Sequence, residues 1–230
     1  MKVRKIRLPL FALAVLFLLP AVRTALAVRM EIMPAVLYPL FQVLMIALPI
    51  WVWAKRGMSR RDVFESVGLK RTSTLGGVVI GLLMAGTIIA GYYTMFRSII
   101  DPSLVLDKVQ SLGLLKWYWV MAVVMSLWNS LYEEYYWRAF LVSELGKWTK
   151  STLIICAIAG SLFGLHHLFV LISLFELPMA LLFTFGTAGA GIVWTWMRRR
   201  GYSIWDCYIS HILADLAIFW IGYDLIQKAS

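Results

Sequence analysis

The sequence predicts an all-α fold, a polytopic transmembrane helix bundle of about seven spans. Three observations lead to this prediction: hydrophobic residues make up 61% of the chain, only 15% of its residues are charged, and long apolar stretches recur along it. A typical soluble chain has about 25% charged residues. A core of this size cannot bury so much apolar surface, so the remainder must face lipid. The composition therefore excludes a soluble enzyme, a disordered segment and a nucleic-acid-binding module.

The individual spans follow from length, because a helix needs about 20 apolar residues to cross a bilayer core. The predicted spans are Leu8–Leu26, Pro34–Trp53, Leu75–Phe96, Trp117 to beyond Arg138, Thr152–Ile172, Leu177–Met197 and Trp205–Ile226. We expect residues 1–230 to form a single integral domain of the cell membrane that contacts its lipid.

The first predicted span has two interpretations. Basic residues from Lys2 to Arg7, an apolar stretch from Leu8 and the triplet at 25–27 are typical of a cleaved signal peptide. The alternative, which we favour, is a retained first helix. In that case we expect the Arg23 side chain to extend to the lipid headgroups.

The distribution of basic residues predicts a cytoplasmic N-terminus. With that orientation, sixteen of the 22 Lys and Arg residues lie on the cytoplasmic side, as the positive-inside rule requires. Residues 58–71 are then expected to lie on the inner surface, with Val63, Phe64 and Val67 facing lipid. Residues 97–116 are expected to form the longest outer loop.

Glycines recur at spacings that allow helices to approach closely in a membrane. We expect most of them to serve helix packing: Gly77 and Gly81 in the third span, Gly160 and Gly164 in the fifth, and Gly186, Gly189 and Gly191 in the sixth.

The fourth span carries ionisable residues, which are costly inside a membrane and by default indicate function. Helical spacing makes Glu134 and Arg138 a natural ion pair. Glu133 then has no partner on its own helix, which makes it a candidate general base. The alternative interpretation is a Glu-Glu-Arg cluster that only holds helices together.

Histidines and a carboxylate occupy two later spans. Phe163 and His167 share one helix face, whereas His166 points about 100° away and is expected to be structural and outside the same site. His211 and Asp215 are spaced i, i+4, so the carboxylate can fix the tautomer of the imidazole. Each of these groups could instead be a helix-linking hydrogen bond.

Three of these residues are expected to meet inside the bilayer. If residues 147–151 form a turn between antiparallel helices, Glu133 and His167 lie at similar depth. His211 follows the basic residues 198–200 and lies part-way into the membrane from the inner side.

The three groups resemble the motifs of the CPBP family, which comprises type II CAAX prenyl endopeptidases, bacteriocin-processing and immunity proteins, and abortive-infection-like proteins. The E-E-x-x-x-R motif corresponds to residues 133–138, the F-x-x-x-H motif to 163–167, and the H-x-x-x-N or H-x-x-x-D motif to 211–215. The resemblance covers Trp117 to the C-terminus, and residues 117–226 would form the catalytic helix core.

The resemblance implies an intramembrane endopeptidase that hydrolyses a peptide bond of a membrane-associated protein or peptide. In the family, the first Glu of motif one and the His of motif two activate a water molecule, and these are Glu133 and His167. The resemblance assigns the stabilisation of the oxyanion to His211 and Asp215.

Glu134 and Arg138 would be the supporting pair. Asp215 stands where the family often has Asn, and an ionised carboxylate cannot donate to an oxyanion as an amide can. Asp215 is either protonated or orients His211, and we favour the second. We expect no cofactor; zinc, held by Glu and His side chains, is the alternative.

Two other classes of function stay open. A non-catalytic immunity or partner-binding protein could use the same fold, and the departure at Asp215 favours it. A proton-coupled transporter could also use carboxylate and His chains, but the sequence has no inverted repeat or paired broken helices. The sequence does not name the substrate, which could be prenylated cargo or a bacterial peptide.

Overall fold

The computed structural model describes residues 7–69 and 74–229, and its regular elements in those ranges are all helical. This confirms the predicted all-α class. In chain order the α-helices are α1 (Leu10–Thr24), α2 (Pro34–Lys55), α3 (Arg60–Ser66), α4 (Leu75–Gly91), α5 (Ser103–Ser111), α6 (Tyr118–Glu133), α7 (Val142–Leu145), α8 (Thr152–Leu171), α9 (Leu177–Arg199) and α10 (Ile204–Ala229).

Three segments continue these helices with i→i+5 hydrogen bonds, as π-helix. They are Ala25–Arg29 after α1, Tyr92–Phe96 after α4, and Glu134–Leu141 between α6 and α7. The residue pattern does not indicate them, because the expected 3.6-residue periodicity assumes α-helical hydrogen bonding throughout.

Within the described ranges, six helical stretches are long and apolar enough to cross a membrane: Leu10–Arg29, Pro34–Lys55, Leu75–Phe96, Thr152–Leu171, Leu177–Arg199 and Ile204–Ala229. The remaining predicted span corresponds to Leu115–Leu145, which follows α5 after a 100° bend and makes a seventh if the bent pair counts as one span. The protein is therefore a multi-pass membrane protein. Its orientation stays a prediction.

The chain divides into two compact units, each built from two separate stretches of sequence. The described residues of the first unit fall within Met1–Arg71 and Glu133–Ile204, and those of the second within Thr72–Tyr132 and Trp205–Ser230. In the first unit, α1 and α9 both pack against α8. The single-domain assignment for residues 1–230 stays a prediction.

Small residues allow α8 and α9 to approach closely. A Cβ atom added to Gly164 would lie 2.8 Å from the Cβ of Ala188, and one added to Gly160 would lie 2.9 Å from the Ala188 carbonyl oxygen. The expected packing role is confirmed for both. Among the described residues, a Cβ atom added to Gly186 or Gly189 would meet no other element within 4 Å, so these two glycines do not serve packing between the described helices.

Glycines also allow α4 and α10 to approach closely in the second unit. A Cβ atom on Gly77 would lie 2.5 Å from the carbonyl oxygen of Asp206, and one on Gly81 would lie 2.8 Å from the Cα of Ser210. The Gly77 N–H also donates to the Asp206 side chain at 3.0 Å. The backbone approach thus comes with a hydrogen bond between the helices.

The basic segment after α2 differs in detail from the expected surface helix. Ser59 and Asp62 form a capping box at the start of α3, and hydrogen bonds from Ser59 lower the pKa of the Asp62 carboxyl. Phe64 is exposed, as expected, but Val67 is buried. That prediction is wrong because α3 ends at Ser66, and Gly68 turns the chain with φ +74° directly after Val67. Residues 1–6, which include most of the basic N-terminal segment, and residues 70–71, the end of the predicted surface segment, lie outside the described residues.

Residues 97–116 are also more ordered than the expected outer loop. They contain α5, whose buried Val109 packs with Tyr118 and Ile226 in an apolar cluster of the second unit. The stretch was too short and too polar to be recognised as a span, but its apolar face is enough for a helix that packs locally.

Candidate active site

The first motif begins at Glu133, the last residue of α6, and continues on the π-helical segment Glu134–Leu141, in the first unit. Its tyrosines attach it to the first two helices, because the Tyr135 hydroxyl donates to the Ile46 carbonyl at 2.9 Å and the Tyr136 hydroxyl donates to the Leu16 carbonyl at 2.8 Å. These two hydrogen bonds hold the motif to neighbouring helices on two sides. The π-helical turn is a second notable feature, because such turns are rare and often occur at functional sites.

Glu134 and Arg138 form the predicted ion pair, with a Glu134 Oε1 to Arg138 Nη1 distance of 3.1 Å. Both side chains are fully buried. The guanidinium carbon lies 4.5 Å from the ring centre of Phe163 and 5.0 Å from that of Trp194. Burying a cation requires such compensation, so the motif-two Phe serves to hold the motif-one Arg.

Glu133 contacts the histidine that the sequence analysis placed elsewhere. Its Oε1 lies 3.2 Å from His166 Nε2, and each of the two residues is only 2% exposed. The expectation that His166 cannot share the site is therefore wrong. Adjacent side chains diverge by about 100° at the backbone, but the ring centres of His166 and His167 are only 4.0 Å apart.

His167 belongs to the same cluster. Ligand atoms of Glu133, His166 and His167 all lie within 4.8 Å of one another. The turn between α7 and α8 falls at residues 146–151, so the expected approach of Glu133 and His167 across this turn is confirmed. Unlike the buried His166, His167 is half-buried.

The cluster has the composition of a metal site. Two His nitrogens and one Glu oxygen are the protein ligands of several catalytic zinc sites. The His167 Nδ1 is 3.0 Å from the Phe163 carbonyl oxygen and donates to it when protonated, which directs the Nε2 lone pair away from that bond. These three residues could therefore hold a metal ion, although Glu133 and His166 can equally satisfy each other directly.

The first helix forms a wall of this cluster. Trp137 packs between Phe17 of α1 and the His166 ring, with ring centres 5.8 Å and 5.5 Å away, and Thr24 Oγ1 donates to the His166 carbonyl at 2.8 Å. Arg23 is 2% exposed, with its guanidinium 4.5 Å from the ring centre of Tyr38. Its expected extension to the headgroups is wrong.

The reason is that the π-helical turn carries the first helix on to Arg29, so Arg23 lies within the helical run rather than at its end. The aromatic ring stabilises the buried cation. Whether residues 1–27 are retained or cleaved stays a prediction.

The third motif lies in the second unit. His211 Nε2 is 3.6 Å from Asp215 Oδ1, as the i, i+4 spacing predicts. The other carboxylate oxygen, Oδ2, accepts a hydrogen bond of 3.0 Å from the hydroxyl of Ser130 on α6. His211 is buried and Asp215 is half-buried. The expected meeting of His211 with Glu133 stays a prediction.

Sequence reasoning missed several residues of these clusters. The adjacent pair His166-His167 was a visible signal, but helical periodicity alone indicated that the two side chains could not lie in the same site. Trp137, Thr24 and Ser130 gave no signal of their own, because their contacts are with residues distant in sequence.

Comparison with known protein families finds a match in the later part of the chain. Residues 115–217 match the family described as "Type II CAAX prenyl endopeptidase Rce1-like". Searches of the curated proteins and of the solved structures found no match. The matched segment contains all three motifs and confirms the resemblance drawn from them. The chain is therefore a multi-pass membrane protein whose residues 115–217 match the Rce1-like family of type II CAAX prenyl endopeptidases.

Proposed function

We propose that this protein is an intramembrane endopeptidase that hydrolyses a peptide bond of a membrane-associated protein or peptide. The observation that carries the proposal is the buried Glu133 carboxylate beside two imidazoles, within a segment of a CAAX-type protease family. Carboxylate and imidazole are the two groups most suited to activating water near neutral pH.

Glu133 acts as the general base in the proposed reaction. It takes a proton from a water molecule while the water oxygen attacks the scissile carbonyl carbon. The C–N bond then breaks, and the proton passes to the leaving amine. This needs no covalent intermediate with the protein.

The two histidines have different roles in the proposed reaction. His167 is half-buried, so its ring can reach a substrate and share in activating the water. His166 is only 2% exposed and contacts the Glu133 carboxylate at 3.2 Å, so it positions that carboxylate. Hydrogen bonding by a neighbouring group is a common way to hold a general base in its working orientation.

The remaining motif residues enter the proposal through the family resemblance. His211 stabilises the oxyanion, and Asp215 orients His211 because a carboxylate cannot itself donate to the oxyanion. Glu134 and Arg138 support the helix that carries Glu133. Their mutual neutralisation favours the burial of both charges beside the working carboxylate.

The proposed mechanism uses no metal ion, and the zinc alternative has a direct test. We expect purified protein to keep its activity after treatment with a strong zinc chelator and removal of the chelator. Elemental analysis gives the zinc content of the same samples. Activity that falls with zinc content and returns when zinc is added would contradict the metal-free mechanism and assign zinc to Glu133, His166 and His167.

The test of the proposed function compares the wild type with Glu133→Gln, both purified into lipid nanodiscs. The probe is a farnesylated CAAX peptide, and the readout is release of its three C-terminal residues by mass spectrometry. We expect Glu133→Gln to lower turnover at least 100-fold, since general-base catalysis contributes about 10²- to 10⁴-fold. Glu65→Gln is the control because Glu65 is exposed and pairs with Arg61 on a surface helix.

The farnesylated peptide tests only one class of substrate. A second experiment therefore tests for proteolysis without choosing the substrate in advance. Peptides released from membranes that contain the wild type or Glu133→Gln are compared without a chosen substrate. Cleavage products that depend on Glu133 in these membranes support the protease even if the farnesylated peptide is not cleaved. Wild-type turnover by Glu133→Gln would contradict the mechanism.

One observation, the carboxylate at position 215, favours a non-catalytic protein instead. In that case a Glu133→Ala, His167→Ala double variant would keep the full biological activity of the wild type. We expect the double variant to lose that activity.

A further inference from the structure

A buried serine contacts the third motif in the second unit. Ser130 on α6 is fully buried, and its hydroxyl donates to Asp215 Oδ2 at 3.0 Å. The other oxygen, Oδ1, faces His211 Nε2 at 3.6 Å, which is longer than a formed hydrogen bond. The carboxyl group therefore lies between a hydroxyl and an imidazole.

A serine one turn earlier shows that this contact is specific to position 130. Ser126 is equally buried on the same helix, but its hydroxyl donates to the Ala122 carbonyl of its own helix at 2.8 Å. Local bonding of this kind is the usual arrangement for a serine inside a helix. Ser130 instead bonds across to α10.

The chemistry of a carboxylate makes this contact informative. An ionised carboxylate can only accept hydrogen bonds, so a polar hydrogen beside either oxygen is favourable and a lone pair is not. The Ser130 hydroxyl supplies such a hydrogen at Oδ2. At Oδ1, 3.6 Å from His211 Nε2, the carboxylate attracts a protonated Nε2 and repels a Nε2 that presents its lone pair. An amide at this position could present either its oxygen or its NH₂ group to the imidazole and would leave both tautomers acceptable.

We propose that Ser130 is a positioning residue that fixes the Asp215 carboxyl group by one oxygen, so that the other faces His211 Nε2 and favours the tautomer protonated at that nitrogen. This explains how an aspartate can serve at a position where the family often has asparagine. The inference rests on the proposed function, in which His211 takes part in hydrolysis.

The first experiment reads the tautomer of His211 without requiring hydrolysis. The full chain is labelled with ¹⁵N at its histidine rings, of which there are only three, and reconstituted in nanodiscs. His211→Gln assigns the signal of residue 211. We expect the neutral His211 ring to show a protonated Nε2 in the wild type and in Ser126→Ala, and a mixture of tautomers in Ser130→Ala.

The second experiment measures turnover of the same variants. We expect Ser130→Ala to lower kcat about tenfold with little change in KM, since a hydrogen bond to a charged group is worth roughly that factor in rate. Ser130→Thr, which keeps the hydroxyl, restores both the tautomer and the rate. Ser126→Ala leaves kcat unchanged and controls for the loss of a buried hydroxyl from α6.

A double-mutant cycle separates positioning from a general loss of structure. If Ser130 acts through Asp215, then Ser130→Ala has no further effect on kcat in an Asp215→Ala background. A tenfold further loss in that background overturns the proposal, as does a His211 spectrum that Ser130→Ala leaves unchanged. Failure of the proposed function is distinguishable, because Glu133→Gln would then be active while the His211 spectrum still responded to Ser130.

Discussion

Two histidines in this protein have different environments, although they are consecutive in the sequence. His166 is 2% exposed, contacts Glu133 and stacks on Trp137. His167 is half-buried, and its Nδ1 faces the carbonyl of Phe163. The buried ring is suited to hold the carboxylate, and the more accessible ring is suited to act on a substrate.

These environments predict an order of effects on catalysis. We expect His167→Gln to lower kcat about 100-fold or more, because it removes a group that takes part in proton transfer. His166→Gln retains a side chain that can donate to Glu133, so we expect a smaller loss. The measurement is kcat against pH for both variants with the same peptide substrate. A larger loss in His166→Gln than in His167→Gln would reverse the assigned roles.

Apolar length and composition were sufficient to predict the spanning helices, but not their hydrogen-bonding pattern. The spans at Pro34–Lys55 and Leu75–Phe96 lie close to their predicted limits. The π-helical segments were not predictable, because a change from i→i+4 to i→i+5 bonding alters no residue type. The same limit explains Arg23, which lies inside the extended first helix and not at its end.

Part of the site could be predicted from spacing alone. Glu134 with Arg138 and His211 with Asp215 are pairs within one helix, so i, i+4 periodicity was enough to find them. The Glu133–His166 contact joins two helices, and its geometry depends on how far each ring extends from the backbone. Periodicity carries no information on that.

The packing of α8 against α9 gives a prediction at the level of the helix pair. We expect Gly164→Ala to destabilise the protein by about 1–3 kcal/mol, because the added Cβ would lie 2.8 Å from the Cβ of Ala188 and overpack the contact. Gly186→Ala is the matched control, since nothing lies within 4 Å of its Cβ position, and alanine favours a helix over glycine by about 1 kcal/mol. Thermal unfolding in one detergent compares them.

The opposite order of stabilities, with Gly164→Ala above Gly186→Ala, would mean that the close approach of α8 and α9 at Gly164 does not constrain the fold. Equal unfolding temperatures would contradict the overpacking argument in the same way.

At the scale of the whole molecule, the charge distribution predicts which ends of the helices face the cytoplasm. Basic residues concentrate in segments that the predicted orientation places inside. The two native cysteines are buried, so introduced cysteines can report exposure to either side with little background.

We expect Ser66→Cys to react with a membrane-impermeant maleimide only from the cytoplasmic side, and Ser111→Cys only from the opposite side. The two serines make a matched pair, because both are exposed and each hydroxyl donates to a carbonyl of its own short helix. Labelling is measured in sealed vesicles of both orientations. Reaction of both cysteines from one side, or the reverse pattern, would contradict the predicted topology.

The central claim is that Glu133 activates a water molecule which attacks the substrate directly. It is tested by a single turnover with excess protein in H₂¹⁸O, followed by mass spectrometry of the cleaved product and of the protein peptide that contains Glu133. We predict one ¹⁸O atom in the new carboxyl terminus of the product, none in the Glu133 side chain, and no labelled product with Glu133→Gln. Labelled Glu133, or wild-type product formation by Glu133→Gln, would contradict the account.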